Sequence, residues 1–210
     1  GNTQVLQPAP DKTGHFISPG RGLDKVGVLL NVAEQPVGVI GHSEEVVGKA
    51  LKGIRHKVFI ATKCGMLNDG KGNAVVNLKP ESIRKEIEES LRRLQTDYID
   101  LYQFHWPDPN TPVEDSWGTM VELQQEGKVR YIGVCNFDVP LLERCMKIAR
   151  VQSLQPPYSL LRRDIEKEIL PYCLQNDIGV IVYSPMQAGL LTGKFDIKKA
   201  PWILILRAVV

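Results

Sequence analysis

Two periods of apolar residues alternate along the chain, and together they predict a repeated unit of strand, turn and helix. Short, nearly continuous apolar runs at residues 26–32, 57–63, 101–106, 129–134, 151–154 and 179–182 are the length and composition of buried strands. Between them lie helical stripes. The clearest begins at Pro80 and places Ile83, Ile87, Leu91 and Leu94 on one face, with Arg84, Lys85, Glu88, Glu89 and Arg92 outward. Ser43 is expected to cap an earlier helix, with Glu44 and Glu45 in its first turn, Val46, Val47, Ala50 and Leu51 on one side, and an end near Gly53. Pro112 opens another with Val113, Trp117, Met120 and Val121 inward, and Gly127 stops it. Leu141, Leu142, Cys145 and Ile148 mark a fourth. Asp164 is expected to cap a fifth carrying Ile165, Ile169, Leu170, Cys173 and Leu174.

Strands that alternate with helices imply a parallel sheet with right-handed crossovers, because parallel neighbours cannot be joined by a tight hairpin. A closed barrel and an open doubly wound sheet both fit. No G-x-G-x-x-G turn follows any strand, and polar residues end many strands instead of clustering at one switch point, which favours the barrel. Lys63, His105, Asn136, Gln155 and Tyr183 would then ring one mouth. The residues alone leave a plainer reading open for each. Lys63 is equally a solvated strand-end charge, His105 a hydrogen-bonded rim residue and Asn136 a turn or cap. Gln155 is equally a rim amide before Pro156 and Pro157, and Tyr183 a core aromatic. Trp106 and Trp117 fit either a pocket wall or the core.

Composition narrows the class. The 210 residues are 43% hydrophobic and 24% charged with a net charge of +2, as expected of one soluble globular domain or most of a larger one. That charge gives no basis for a nucleic acid partner or an anionic membrane surface. The four cysteines form no C-x-x-C pair and no metal-like cluster with the histidines, so neither disulfides nor a metal are expected. Reduced thiols, no recognisable signal peptide and no bilayer-length apolar run lead to the expectation of a cytoplasmic protein. Residues 1–24, rich in proline and glycine, read as an irregular segment. A barrel domain is expected over 25–195 and an atypical hydrophobic tail over 196–210.

Five motifs in order resemble the aldo-keto reductase family. They are the run from Gly41-His42-Ser43 to Leu51, the run from Val58 to Lys63, the run from Asp97 to His105, Ile132-Gly133-Val134-Cys135-Asn136-Phe137, and Tyr183-Ser184-Pro185 with Gly189-Leu190-Leu191-Thr192-Gly193-Lys194. The resemblance implies a (β/α)8 TIM barrel that reduces aldehyde or ketone carbonyls by hydride transfer from NADP(H). It implies that Lys63 and His105 are the lysine and histidine of an Asp, Tyr, Lys, His catalytic tetrad. It further implies that Asn136 and Gln155 hold the nicotinamide carboxamide, that Tyr183 stacks on the nicotinamide, and that Ser184, Pro185, Met186 and Gly189 belong to a loop along the pyrophosphate. These types suit the chemistry: a carbonyl gaining hydride develops negative charge on oxygen, which calls for a proton donor and a nearby cation. Amide side chains offer a donor and an acceptor together.

Both ends depart from the family pattern. Gly38 stands where the tetrad tyrosine is expected and Ala33 where the aspartate is expected. After Phe195 the chain runs into an apolar segment unlike the family's last strand and helix with its phosphate-binding basic residues. The expectation is an incomplete barrel, with a degenerate first strand, no final strand and helix, and impaired turnover. The alternatives are a non-catalytic member that binds cofactor or a protein partner, and an inactive truncated product.

Overall fold

The computed structural model describes residues 41–194, together with the backbone of three short strands, β1 (Ala9–Pro10), β2 (Phe16–Ile17) and β3 (Val26–Leu29). Gly38, Ala33, the tail over 196–210 and the expected boundaries at 24/25 and 195/196 lie outside the described residues. Within the segment expected to be irregular, β1 and β2 pair antiparallel. The chain continues through α1 (His42–Ala50), β4 (Val58–Cys64), β5 (Met66–Asn68), β6 (Ala74–Val76), α2 (Pro80–Leu94) and β7 (Ile99–Phe104). It then forms α3 (Val113–Gln125), β8 (Val129–Cys135), α4 (Val139–Met146), β9 (Ser153–Gln155), α5 (Ile169–Gln175) and β10 (Gly179–Val180).

Six of these strands make one wholly parallel sheet in the order β10-β9-β8-β7-β4-β3. Among strands of that sheet, each neighbours the next one along the chain and the order never reverses. A doubly wound sheet reverses at a switch point; a barrel wall does not. The described sheet is therefore an arc of a (β/α)8 barrel, incomplete among the described residues because six strands are present where the closed fold has eight.

The two faces of the arc pack differently. Val58, Ile60, Cys64, Tyr102, Phe104, Ile132, Val134 and Leu154 meet the helices in one large core, where Phe104 packs edge-on to Trp117 with centroids 5.8 Å apart. Alternate residues face inward: Ala61 and Leu101 pack with Phe59, Tyr131 and Ile181. All six residues of β7 are buried, as a strand covered on both faces requires.

Ion pairs bind the layers together. Asp100, fully buried at the start of β7, meets Arg55 at 2.8 Å and Arg130 at 2.9 Å and accepts the Ile60 N–H; both guanidiniums lie over the Tyr98 ring. Buried Glu44 of α1 pairs with Arg93 of α2 at 2.6 Å and accepts the Thr62 hydroxyl at 2.8 Å. More exposed pairs join α2 to α3, through Arg84 with Glu122 and Glu126, and α3 to α4, through Glu114 with Arg144. No described helix is long and apolar enough to cross a membrane.

Several local expectations need correction. The cap of α1 is Gly41, at φ 94°, and Ser43 is inside the helix. Its buried face is Glu44 and Gly48, while Val46 is 50% exposed. Gly48 decides this: a Cβ there would come within 2.5 Å of the Arg93 carbonyl, so α1 turns its smallest residue to α2. Asp164 does not cap a long helix. It starts a 3-10 turn, Asp164–Glu166, and α5 is separate. Pro171 lacks an N–H and its ring would clash with the carbonyl at Lys167, so a helix cannot run through; it is tolerated in the first turn of α5. Leu174 is consequently 80% exposed. Ile148 lies beyond α4, exposed, where the chain turns toward β9. The strands expected at 151–154 and 179–182 shorten to Ser153–Gln155 and Gly179–Val180. Sequence reading missed the β5-β6 hairpin, whose turn is organised by Asp69 accepting from the Lys71 and Asn73 backbones.

Candidate active site

The inward faces of β4, β7, β8 and β9 change character toward their C-terminal ends. Register pairs Lys63 with Gln103, Gln103 with Gly133 and Gly133 with Ser153, placing a polar layer above the apolar one of Ala61 and Leu101. Gln103 donates to the Ser153 hydroxyl at 3.4 Å. Gly133 is required here, since a Cβ would stand 2.6 Å from the Ser153 carbonyl.

Above this layer the strand-end residues meet. Asn136, just past β8, takes φ 61°, a left-handed conformation that asparagine tolerates better than most residues. That turn lets its backbone N–H reach the Gln155 carbonyl at 3.2 Å and its Nδ2 donate to the His105 carbonyl at 3.0 Å. Its Oδ1 accepts the Tyr183 hydroxyl at 2.7 Å. One residue thus ties together the ends of β7, β8 and β9 and the segment after β10, the first and last through its side chain and β9 through its backbone. The Cys135 thiol donates to Gln155 Oε1 at 3.6 Å, and Gln155 Nε2 is buried with no partner among the described residues.

Burial sets the protonation states. Lys63 is buried and its pKa is lowered by desolvation, opposed by its interaction with Cys135. His105 is pushed down to about 4, mainly by burial and secondly by the Lys63 charge, so its imidazole is neutral at neutral pH. Burial pushes the Cys135 thiol up to about 12 and raises the Tyr183 hydroxyl. The mouth therefore presents a neutral imidazole, a neutral thiol and a protonated phenol around a buried lysine.

The structure brings Lys63, His105, Asn136, Gln155 and Tyr183 to one end of the sheet. Ser184, Pro185 and Met186 lie exposed in the following loop, and Gly189 is partly covered. That loop is left-handed at Ser184, Gln187, Ala188 and Gly189 and is tied to the body by Gln187 donating to the Ser159 hydroxyl at 2.7 Å. Trp117 is core, its indole N–H bonded to the Ala149 carbonyl, whereas Trp106 next to His105 is 42% exposed. Sequence reading missed Gln103, Ser153 and the bond from Cys135 to Gln155. Period-two spacing from His105 back to Gln103 was the available signal.

Residues 39–202 match the model of the aldo/keto reductase family. An aldo-keto reductase of Bacillus subtilis is 44% identical over 175 residues, covering 82% of this chain and 52% of that protein. The NADH-specific methylglyoxal reductase of Escherichia coli is 42% identical, covering 73% of this chain and 51% of that protein. Among solved structures, a glycerol dehydrogenase of Gluconobacter oxydans superimposes with a TM-score of 0.73 at 40% identity, over 77% of this chain and 51% of that one. An aldo/keto reductase of Klebsiella pneumoniae in complex with NADP and acetate gives 0.60 at 31% identity, over 79% and 56%. The chain spans about half the length of the curated relatives it matches.

Proposed function

Since this chain belongs to the aldo/keto reductase family, a family of nicotinamide-dependent oxidoreductases, we propose that it carries the cofactor-facing wall of a carbonyl reductase site. NADP(H) is the proposed cofactor and a small aldehyde or ketone the proposed substrate. The same reading takes 25–195 as the barrel unit. The carrying observation is the buried Gln155 Nε2 at the mouth, which has no partner among the described residues and is a donor matched to a carboxamide oxygen. Asn136 fits the same group: after its bonds to His105 and Tyr183 it keeps one N–H and one oxygen lone pair.

A bound reduced nicotinamide would supply the hydride. Lys63 would place positive charge where the carbonyl oxygen becomes negative, and the neutral His105 imidazole would donate its N–H to orient that oxygen. The Tyr183 ring would lie against the nicotinamide, and the loop of Ser184, Pro185, Met186 and Gly189 along the pyrophosphate. Consecutive left-handed residues Gln187 and Ala188 support a functional loop, because such conformations cost about 1–3 kcal/mol each.

Gly38 and Ala33 favour a second reading, a member that binds cofactor or a protein partner without turnover. General acid catalysis contributes about 10² to 10⁴ in rate, so turnover here should be slow. The test follows NADPH and NADH absorbance with a panel of small aldehydes, beside Lys63→Met. Turnover above that variant supports the reductase. Binding of NADPH by fluorescence without turnover supports the cofactor-binding form of the second reading, and no binding at millimolar cofactor rejects both the reductase and that form, leaving the protein-partner form.

A further inference from the structure

Helix α2 turns one carboxylate toward the strand end that bears Lys63. Glu86 Oε2 accepts the Gly65 N–H at 2.9 Å, and its Oε1 accepts the Ser82 hydroxyl at 3.1 Å. Gly65, at φ 85°, is where the chain leaves β4 for the β5-β6 hairpin; a Cβ there would meet Leu78 at 2.3 Å.

The peptide unit that Glu86 holds is shared. Its N–H belongs to Gly65 and its carbonyl to Cys64, and the Cys64 carbonyl accepts the His105 N–H at 3.0 Å. The His105 carbonyl accepts from Asn136 Nδ2, and Asn136 Oδ1 accepts from Tyr183. Two hydrogen-bonded runs therefore meet at His105: one leads from its N–H through the Cys64–Gly65 peptide to the Glu86 carboxyl, and the other leads from the Tyr183 hydroxyl through the Asn136 amide to its carbonyl, which lies in the next peptide unit across the His105 Cα. Every link donates in the same direction, toward Glu86. Within the first run the bonds polarise one another through the shared amide, so an ionised Glu86 makes the Cys64 carbonyl a stronger acceptor for the His105 N–H; the second run is joined to it through the position of the His105 backbone.

We propose that Glu86 is a positioning residue for the candidate active site, and that its ionisation tightens the bond holding the His105 backbone, to which Asn136 and Tyr183 are in turn tied. The ligand part of this proposal rests on the cofactor reading above; the coupling part does not. The surroundings of Glu86 make its charge variable. Cys64 of β4 and Tyr102 of β7 face it as neutral groups, both raised well above their ordinary values by burial. On its own helix Glu89 disfavours the charge and Arg93, engaged with Glu44, favours it weakly. Burial dominates, and the Glu86 carboxyl is raised to about 7. His105 titrates far below that, so the two groups are separable by pH.

The test follows the Gly65 and His105 backbone amides and the Asn136 side-chain amide by NMR across pH 5.5–8.5, beside thermal melts. All three resonances are expected to move together with a midpoint near 7. Glu86→Gln, which keeps the shape and removes the charge, should fold and lose that midpoint. Ser82→Ala, which removes a bond favouring the ionised form, should move it upward. If only Gly65 responds, Glu86 is a local tether and the proposal is overturned; a midpoint that survives in Glu86→Gln overturns it equally. In the second arm NADPH affinity should weaken on the order of twofold from pH 8 to pH 6 in the parent and stay level in Glu86→Gln. Affinity that falls equally in both proteins counts against the proposal. NADPH that binds neither, with the three resonances still coupled, defeats the cofactor reading and leaves the positioning role standing.

Discussion

Replacing Gly133 by alanine should destabilise the protein, whereas the same change at Gly118 should stabilise it. At Gly133 the new methyl would stand 2.6 Å from the Ser153 carbonyl oxygen and 3.0 Å from its Cβ, roughly 0.8 Å inside ordinary contact with a backbone atom that cannot swing away. Strands β8 and β9 must separate, which strains the Asn136 N–H bond to the Gln155 carbonyl just above. Overpacking of this kind costs about 1–3 kcal/mol, and a backbone obstacle favours the upper end. Gly118 lies within α3 with nothing within 4 Å of its would-be Cβ, so alanine there gains about 0.5–1 kcal/mol from reduced unfolded-state freedom. Urea denaturation monitored by tryptophan fluorescence measures both. The two midpoints should move in opposite directions at unchanged slope. A Gly133→Ala protein within about 0.5 kcal/mol of the parent would refute the claim that the close approach of β8 and β9 is obligatory.

The His105 ring should titrate near 4 by NMR. Because its folded pKa lies below the unfolded value of 6.5, its contribution to stability is present above that pH and is lost as pH falls toward 4, about 3 kcal/mol in all; an ordinary imidazole titration would contradict the burial argument. Asp100→Ala should cost about 3–5 kcal/mol in a denaturant melt, because it strands the Arg55 charge and the Ile60 N–H, and a loss below about 1 kcal/mol would show the cluster to be solvent-relaxed.

Much of the fold was legible because burial on two faces writes itself into composition. Ile99 to Phe104 is apolar enough to be read as a covered strand, and the stripe from Ile83 to Leu94 fixes α2 with its outward charges. His105 was placed at a strand end from the proline after it. What sequence could not carry was pairing. The bond from Cys135 to Gln155 and the layer of Lys63, Gln103, Gly133 and Ser153 depend on interstrand register. The break before α5 was written in Pro171 but outweighed by the apolar spacing around it. The two hydrogen-bonded runs that meet at His105 pass largely through backbone atoms of Cys64, Gly65 and His105, which leave no trace in residue type.

The ion pairs described above fall into two populations that answer differently to salt. Arg84 with Glu126 and Glu114 with Arg144 sit in water at the seams between helices, where mobile ions screen them. Asp100 with Arg55, and Glu44 with Arg93, sit where few ions reach. Added salt thus loosens the helical girdle and spares the attachments of β4, β7 and α1. Substitution acts where salt does not: replacing Glu44 or Asp100 by its amide removes the anion on which an inner attachment depends.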